Sequence, residues 1–412
     1  MTAPPPGHTS EMPVPWWTQL GRTLRDRGLV RPPSLQTEEP RSASRLELFF
    51  DLAFVLVVAE LAGALRADLN PRSLLTFGGL FTVVWWSWMS STLYANRFDH
   101  DDVLYRVNKL AGMFAVLGMA AAASDATGKY SVEFILCYLG LRVLLLIQYA
   151  RAYRHVVAAR GAVRIYLLAT SAGTIVWASS LAVPGPARYW LWALGVLVEA
   201  GAPLAVTAAR IEVPLHLEHL PERFSLFVIL VLGESAAAIA HGVHDAKWSG
   251  GSVAAAAVCF VLTAGLWWSY FDLAGAAARH LLEEAGTLGN TLAHDVYVYG
   301  QMPLCVSLAA VGVGMHDIVT EGAHEASTGA RVLLSGGVAL YLVTIGLTNA
   351  AMATQKTSGW WWTLAAAAIA VADALLELPA LAVAGVLAAL LFAVVGVGLE
   401  QEARGNVALK RL

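Results

Sequence analysis

Ionisable residues inside long apolar stretches are the first feature of this sequence that can do chemistry. Arg142 lies in the middle of one stretch, and Glu60, Glu199 and Glu234 lie in three others. A charged side chain at the centre of a membrane costs about 2.5–3.5 kcal/mol on insertion scales, so we expect Arg142 to pair with one of these carboxylates. A fixed pair would hold helices in register, whereas a pair that exchanges partners would bind a proton or a solute.

Glu234 and Glu60 lie deep in their apolar stretches, roughly 18 Å and 21 Å from the start at 1.5 Å per residue. We predict that the two carboxylates approach a shared central cavity. Desolvation favours the neutral, protonated form of a carboxylic acid, as a proton relay requires. The alternative for each carboxylate is to cap a neighbouring helix or to pair with Arg142.

A second set of polar residues is predicted near the cytoplasmic ends of the apolar stretches. Glu47 and Asp51 share one helix face because they are four residues apart, and Asp272 falls at the same level. The other residues at this level are Arg97, Asp99, His294 and Asp295. A shared proton, a metal ion or a lattice of arginines and carboxylates would each satisfy the cluster, and the lattice is favoured.

The histidines offer only weak metal-site patterns. His216 and His219 are spaced i,i+3 beside Glu218 and Glu222, a spacing that can bind zinc or copper on one helix face. A metal-free pair at the membrane interface is the favoured interpretation. The sequence has no Gly-rich phosphate loop and no nucleophile elbow. Accordingly, no cofactor is predicted and no catalytic residue is assigned.

The composition limits the class of protein. Hydrophobic residues make up 57% of the 412 residues and charged residues only 14%, and the mean hydropathy is +0.60. This excludes a disordered protein, a coiled coil and an ordinary soluble enzyme. A net charge of −3 gives no basic field for nucleic acid. The three cysteines lie inside apolar stretches without a CxxC motif, so neither a disulfide framework nor a thiolate metal site is predicted.

The apolar stretches predict an all-α, polytopic bundle of about twelve transmembrane helices, because a helix needs about 20 apolar residues to cross a bilayer. The last two are compressed around Asp373, Glu377 and Pro379 and are predicted to span less well. The stretches are 46–66, 74–95, 105–123, 131–153, 161–183, 188–209, 222–243, 253–275, 292–315, 329–352, 359–376 and 378–398.

Lysine and arginine positions predict the orientation. With the N-terminus inside, 20 of the 27 basic residues fall on the cytoplasmic side. Both termini are therefore predicted to be cytoplasmic. Residues 1–44, which are rich in proline, are predicted to be a disordered tail, and residues 401–412 a short C-terminal tail.

Three short matches predict an internal duplication. Trp85-Trp86-Ser87-Trp88 recurs as Trp267-Trp268-Ser269-Tyr270, and Arg45-Leu46-Glu47-Leu48-Phe49 recurs as Arg223-Phe224-Ser225-Leu226-Phe227. Gly112-Met113 and Gly300-Gln301-Met302 form the third match. The predicted halves are 45–215 and 216–400, each with about six helices. An even number makes them parallel repeats about an axis along the membrane normal.

Two motifs carry a resemblance to a known family. Glu47-Leu48-Phe49-Phe50-Asp51 opens the first apolar stretch, and the run from Glu222 and Arg223 to Leu232-Gly233-Glu234-Ser235 opens the seventh. With Trp267-Trp268-Ser269-Tyr270-Phe271-Asp272, they resemble the bacterial low temperature requirement protein A family. The resemblance implies a multi-pass protein of the bacterial inner membrane, associated by name with growth in the cold. It also suggests Arg223 and Glu222 as site residues, since both belong to the motif.

The sequence departs from that family at one position. The family often carries Tyr-x-Tyr-x-His-x-Pro, where this chain has Tyr297-Val298-Tyr299-Gly300-Gln301-Met302-Pro303. This chain therefore has glutamine where that pattern has histidine.

Three functions are compatible with these features. The favoured one is a transporter or a proton- or ion-coupled carrier of an unknown small solute, embedded in the lipid bilayer. The alternatives are a membrane-embedded enzyme, possibly metal-dependent, that acts on a lipid or small hydrophobic substrate, and a non-catalytic membrane protein. A cavity open to one side and lined by Glu60 and Glu234 would favour the carrier. A closed polar lattice would favour the non-catalytic protein.

Overall fold

A computed structural model describes residues 23, 29–35, 44–99, 102–209, 211, 219–274, 288–352 and 360–409. These residues form an all-α bundle of twelve helices, as predicted. The helices are α1 (Arg45–Ala67), α2 (Pro71–Arg97), α3 (Val103–Ala123), α4 (Ser131–His155), α5 (Arg160–Ser179), α6 (Ala187–Ala208), α7 (His219–Asp245), α8 (Gly250–Trp268), α9 (Leu288–Glu321), α10 (Thr328–Met352), α11 (Trp360–Leu375) and α12 (Ala380–Leu409).

Ten of these helices are long and apolar enough to cross a membrane. The eleventh predicted stretch forms a shorter apolar helix, Trp361–Leu375, in agreement with its predicted compression. The twelfth is long enough, because the apolar part of α12 runs from Ala380 to Gln401. The remaining helix, α2, has 27 residues, but its tryptophans, serines and glycines lower its mean hydropathy.

Local capping fixes where the first three helices begin. The Ser44 hydroxyl accepts from the Glu47 amide, and the Glu47 carboxylate accepts from the Ser44 amide, so the two residues form a capping box for α1. Asn70 caps α2 ahead of Pro71, and Asp102 caps α3. Side chains at these ends satisfy amides that the helices leave without partners.

Part of the predicted N-terminal tail is ordered, which the sequence interpretation missed. The short strand β1 (Ser34–Leu35) pairs antiparallel with a second short strand, β2 (Phe98–Asp99), at the end of α2. The Arg31 amide also donates to the Asp102 carboxylate at 3.1 Å. Residues 29–35 are therefore attached to the helix bundle. At the other end of the chain, α12 continues to Leu409 through most of the predicted C-terminal tail.

The two predicted halves share the same helix pairings. In the first half α1 packs on α3, α3 on α4, and α4 on α5. In the second half α7 packs on α9, α9 on α10, and α10 on α11. The contact between α2 and α6 likewise corresponds to the contact between α8 and α12. A duplication of six helices would produce this correspondence.

The halves meet along α1 and α2, which both pack on α7 and α9. A continuous core of buried apolar side chains crosses this contact, with Phe54 and Trp88 from the first half and Phe227 and Leu308 from the second. Large apolar side chains such as Phe114, Trp190 and Leu197 remain exposed on the outside of the bundle. Side chains of this kind on a membrane bundle face lipid rather than water.

Candidate functional site

Arg142 is fully buried on α4 and has a carboxylate partner. Its Nη1 lies 3.3 Å from Oε2 of Glu199 on α6, and the Glu199 side chain is 2% exposed. The guanidinium also donates to two hydroxyls of α2, Ser90 Oγ at 2.5 Å and Ser87 Oγ at 3.0 Å. The predicted buried partner of Arg142 is confirmed, and it is Glu199 among the three candidates.

Aromatic donors complete the surroundings of Glu199. Trp86 Nε1 donates to Oε2 at 3.2 Å, and the Tyr138 hydroxyl donates to Oε1 at 3.4 Å. The Arg142 guanidinium lies 4.6 Å from the centre of the Tyr138 ring, a cation–π distance. Glu199 fits because Gly173 has no side chain: a Cβ there would lie 2.5 Å from Glu199 Cγ. The carboxylate is thus held by donors from two helices, α2 and α4.

The second half of the chain contributes to the same region through Tyr299. Its ring stacks on Trp86 with centroids 6.3 Å apart and planes 8° apart, and its hydroxyl donates to the Ala200 carbonyl. Gln301, at the position where the family pattern has histidine, is buried and accepts from the Tyr270 hydroxyl at 3.2 Å. This position therefore belongs to the internal hydrogen bonds of the second half.

A second buried cluster lies nearer the start of α1 and joins the two halves. Arg223 on α7 contacts Asp51 through Nη2 at 2.7 Å and Glu47 through Nη1 at 3.3 Å. Trp88 Nε1 donates to the same Asp51 oxygen at 2.8 Å. Glu47 and Asp51 thus belong to a lattice of arginine and carboxylates, but its arginine is Arg223. Arg97, which was predicted at this level, instead lies with its guanidinium 4.5 Å from the centre of the Tyr166 ring. The Asp272 side chain, which was predicted to join it, lies outside the described side chains.

Lys109 supplies a further buried cation beside this cluster. The residue is 4% exposed, and its Nζ lies 4.1 Å from the centre of the Phe50 ring. A small cavity of about 10 Å³ adjoins it, lined by polar groups of Ser91, Asn108 and Gln148. That volume accommodates about one water molecule. With Lys109 the cluster has two cationic and two carboxylate side chains, so its formal charge balances.

The same helix, α2, contacts both clusters. Trp86 and Trp88 are two residues apart, and they donate to Glu199 and Asp51 respectively. Ser87, between them, accepts from Arg142. A rotation or tilt of α2 would therefore change both buried ion pairs together.

Among the described residues of the second half, the Arg142–Glu199 pair has no charged counterpart, although the helices that carry the pair have equivalents there. Ser269 at the end of α8 is the repeat equivalent of Ser87 on α2. Its Oγ lies 2.8 Å from the Tyr341 hydroxyl on α10, whereas Ser87 accepts from Arg142 on α4. Trp268 is likewise the repeat equivalent of Trp86. It packs on Phe392 of α12, whereas Trp86 donates to Glu199 of α6. Uncharged groups thus replace the arginine and the glutamate at the equivalent place.

The structure separates the other predicted carboxylates from these clusters. Glu60 is exposed on the outer face of α1, so its predicted position at a central cavity is wrong. Glu234 is partly buried on α7, and its side chain makes no hydrogen bond or ion pair with another described residue. The alternative in which Arg142 is its partner is therefore wrong. Glu222 is exposed.

We expect Glu60→Gln and Glu234→Gln to leave the stability of the protein within about 0.5 kcal/mol of the wild type, because neither side chain makes a hydrogen bond or ion pair with another described residue. Thermal unfolding of each purified variant in one detergent measures this. A large loss of stability in Glu234→Gln would show that this carboxylate has a structural partner after all.

The predicted metal ligands His216 and His219 lie outside the described side chains. Within the described part of the chain, no group of three or more histidine, cysteine or carboxylate residues is arranged to hold a metal ion. One histidine, His316, is nevertheless held between two carboxylates: Nε2 lies 3.1 Å from Asp245 and Nδ1 lies 3.0 Å from Asp317. Both ring nitrogens can donate only in the protonated imidazolium form.

Sequence reasoning missed several residues that form the two clusters. The Trp-Trp-Ser-Trp motif was the available signal, but it indicated only the duplication. The position of Lys109 inside an apolar stretch was a second signal, because a lysine there needs a buried polar or aromatic partner. The missed residues are Trp86, Ser87, Trp88, Ser90, Lys109, Tyr138 and Tyr299.

The apolar helices and their buried ion pairs define a multi-pass membrane protein of the helical-bundle class. More specifically, the chain belongs to the family of bacterial low temperature requirement A proteins (LtrA), which matches residues 42–396. It is also similar to an uncharacterized protein of Rhizobium meliloti (strain 1021). The two are 26% identical over 288 residues, which cover 68% of this chain and 70% of that protein.

Proposed function

We propose that this membrane protein is a proton-coupled carrier in which Arg142 and Glu199 form the central binding site. The observation that carries the proposal is the fully buried Arg142–Glu199 pair, held by side chains of α2 and α4. Ionisable groups inside membrane helices are costly, and they commonly mark ion or substrate pathways.

The depth of the pair supports this role. Arg142 lies eleven residues from the start of α4 at Ser131, which corresponds to about 16 Å at 1.5 Å per residue. The hydrocarbon core of a bilayer is about 30 Å thick, so the pair lies near its middle. A solute bound there would be equally distant from both sides, as alternating access requires.

The chemistry of the pair allows a coupled exchange. A proton that binds Glu199 neutralises the carboxylate and releases Arg142 from its counter-ion. The guanidinium then takes the anionic group of a solute, so one proton and one negative charge cross together. Arg142 Nε, which has no hydrogen-bond acceptor among the described residues, provides a further donor for that group. Release of solute and proton restores the pair.

A second candidate function is a non-catalytic membrane protein. The observation that favours it is the closed lattice of Arg223, Asp51 and Glu47, which joins the two halves. Moreover, neither Glu60 nor Glu234 lines the cavity beside Lys109 or the cavity between α1, α2 and α3. The transport experiment separates the two candidates.

That experiment uses purified protein in liposomes loaded with a pH-sensitive dye. We expect internal acidification when a mixture of amino acids and small carboxylates is added outside, and its loss in Glu199→Gln. Glu234→Gln is the matched control, because that glutamate lies outside the buried pairs. Solute-independent dye signals from folded wild-type protein would contradict the carrier and favour the non-catalytic protein.

We also propose that the protein lies in the bacterial inner membrane with both termini in the cytoplasm. The support is the placement of 20 of the 27 basic residues on that side. Reporter fusions at residue 1 and at residue 412 are expected to be active only for a cytoplasmic reporter. Fusions that report opposite sides would contradict an even number of crossings.

A further inference from the structure

A larger cavity than the one beside Lys109 lies at the end of α1 opposite to Arg45. Its volume is about 300 Å³, and it is formed where α1 ends, α2 begins and α3 ends. Cavities that bind small molecules commonly begin at about this size. The cavity is not part of either buried ion-pair cluster.

Two opposite charges line this cavity. Asp68 follows α1, and Arg72 lies in the first turn of α2. Both are exposed, and neither makes a hydrogen bond or ion pair with another described residue. Hydroxyls of Ser73, Thr76 and Ser124 line the space around them. A ligand with both a cationic and an anionic group would find a partner for each.

The rest of the cavity wall is apolar. Leu61 and Leu65 of α1 and Phe77 and Leu80 of α2 contribute it, and all four are buried. An apolar portion of a ligand would be removed from water against these side chains. Apolar burial contributes roughly 25 cal/mol per Å², so this contact would add affinity to that of the charges.

The loop that carries Asp68 is fixed to the second half of the chain. Leu69 packs against Gly329 at the start of α10, where a Cβ would lie only 2.2 Å from a Leu69 methyl carbon. The missing side chain at Gly329 makes room for the Leu69 methyl group, so the loop rests against the start of α10. This contact places the backbone of Asp68 beside the first turn of α2, which carries Arg72.

We propose that this cavity binds a small zwitterion with an apolar side chain, such as an aliphatic amino acid. The carboxylate of the ligand lies towards Arg72 and the positive end of the α2 dipole, and its ammonium group lies towards Asp68. One part of this proposal rests on the proposed function: if the protein is a carrier, the cavity is the outer vestibule through which the solute enters.

The central pair offers the same chemistry as the cavity. Arg142 and Glu199 again present one guanidinium and one carboxylate beside serine hydroxyls. Leu80 in the cavity wall and Trp86 at the central pair lie six residues apart on α2, or about 9 Å along the helix. The carboxylate of a zwitterion would thus find an arginine at each of two sites along one helix, first Arg72 and then Arg142.

Binding to the purified full-length protein tests this assignment. The probes are L-leucine and two analogues that each lack one charge, 4-methylpentanoate and 3-methylbutylamine. We expect L-leucine to bind about threefold to fivefold more tightly than either analogue, because exposed ion pairs contribute up to about this much. Asp68→Asn and Arg72→Gln should each remove that advantage. Arg66→Gln, a change to an exposed arginine outside the cavity, should retain it.

Each outcome bears on the assignment. Equal affinity for L-leucine and 4-methylpentanoate would overturn the zwitterion in favour of a simple anion, and no binding by any probe would overturn the site. Unchanged binding in both cavity variants would place the ligand elsewhere. Binding that depends on Asp68 and Arg72, without proton-coupled flux in liposomes, would retain the site and reject the carrier.

Discussion

Arg142→Met is expected to lower the free energy of unfolding by about 3–5 kcal/mol, because it leaves the Glu199 carboxylate buried without its counter-ion. Methionine keeps an unbranched apolar side chain but is shorter than arginine and leaves the guanidinium space empty, so lost packing adds to the effect of the stranded charge. Thermal unfolding of the purified protein in one detergent, together with the amount of folded protein in the membrane, measures the effect. Arg154→Met, which removes an exposed arginine from the same helix, should stay within about 0.5 kcal/mol of the wild type.

A double variant distinguishes a stranded charge from lost packing. Arg142→Met combined with Glu199→Gln removes both charges. The Gln carbonyl oxygen can still accept from Trp86, and its NH2 group can donate to the Tyr138 hydroxyl. We expect the double variant to regain most of the stability lost in either single variant, since removal of a whole buried pair is often neutral. It should nevertheless transport nothing. If the double variant is no more stable than the single ones, the pair is not coupled in the way that the geometry indicates.

The sequence predicted that Arg142 needs a carboxylate but did not identify which one. Three glutamates lie at similar depths, and helix rotation decides which of them faces inwards. In a soluble helix the apolar face would reveal the rotation, but a membrane helix is apolar towards lipid as well. On α1 the outward residues Leu52 and Leu56 are as apolar as the buried ones, so nothing in the pattern placed Glu60 outside.

The positions of the helices were predictable because the length of each apolar stretch in the sequence indicates a membrane-spanning helix. Each apolar stretch must cover the bilayer, and its ends are marked by charges or capping residues. Ordering of residues 29–35 was not predictable in this way, since the pairing of Ser34–Leu35 with Phe98–Asp99 depends on main-chain groups rather than on composition. The roles of Trp86 and Trp88 depend similarly on the direction of each indole N–H, which the motif alone does not define.

Arg223→Met is expected to have an effect of similar size to that of Arg142→Met, again about 3–5 kcal/mol. Without the guanidinium, the carboxylates of Glu47 and Asp51 face each other one turn apart on α1, and Lys109 is the nearest remaining buried cation. Arg223 also joins α7 to α1, so its loss weakens the contact between the two halves. Thermal unfolding and the yield of folded protein again provide the measurement.

The two carboxylates of this cluster should differ in importance because they differ in burial. The Asp51 side chain is 1% exposed and the Glu47 side chain is 12% exposed. We expect Asp51→Asn to cost about 1–3 kcal/mol and Glu47→Gln about 1 kcal/mol or less. If the cluster is a lattice, as its geometry indicates, Asp51→Asn lowers the amount of folded protein. If it takes part in transport, folded protein accumulates but flux is lost. Unchanged abundance and unchanged flux in Asp51→Asn would reject both roles.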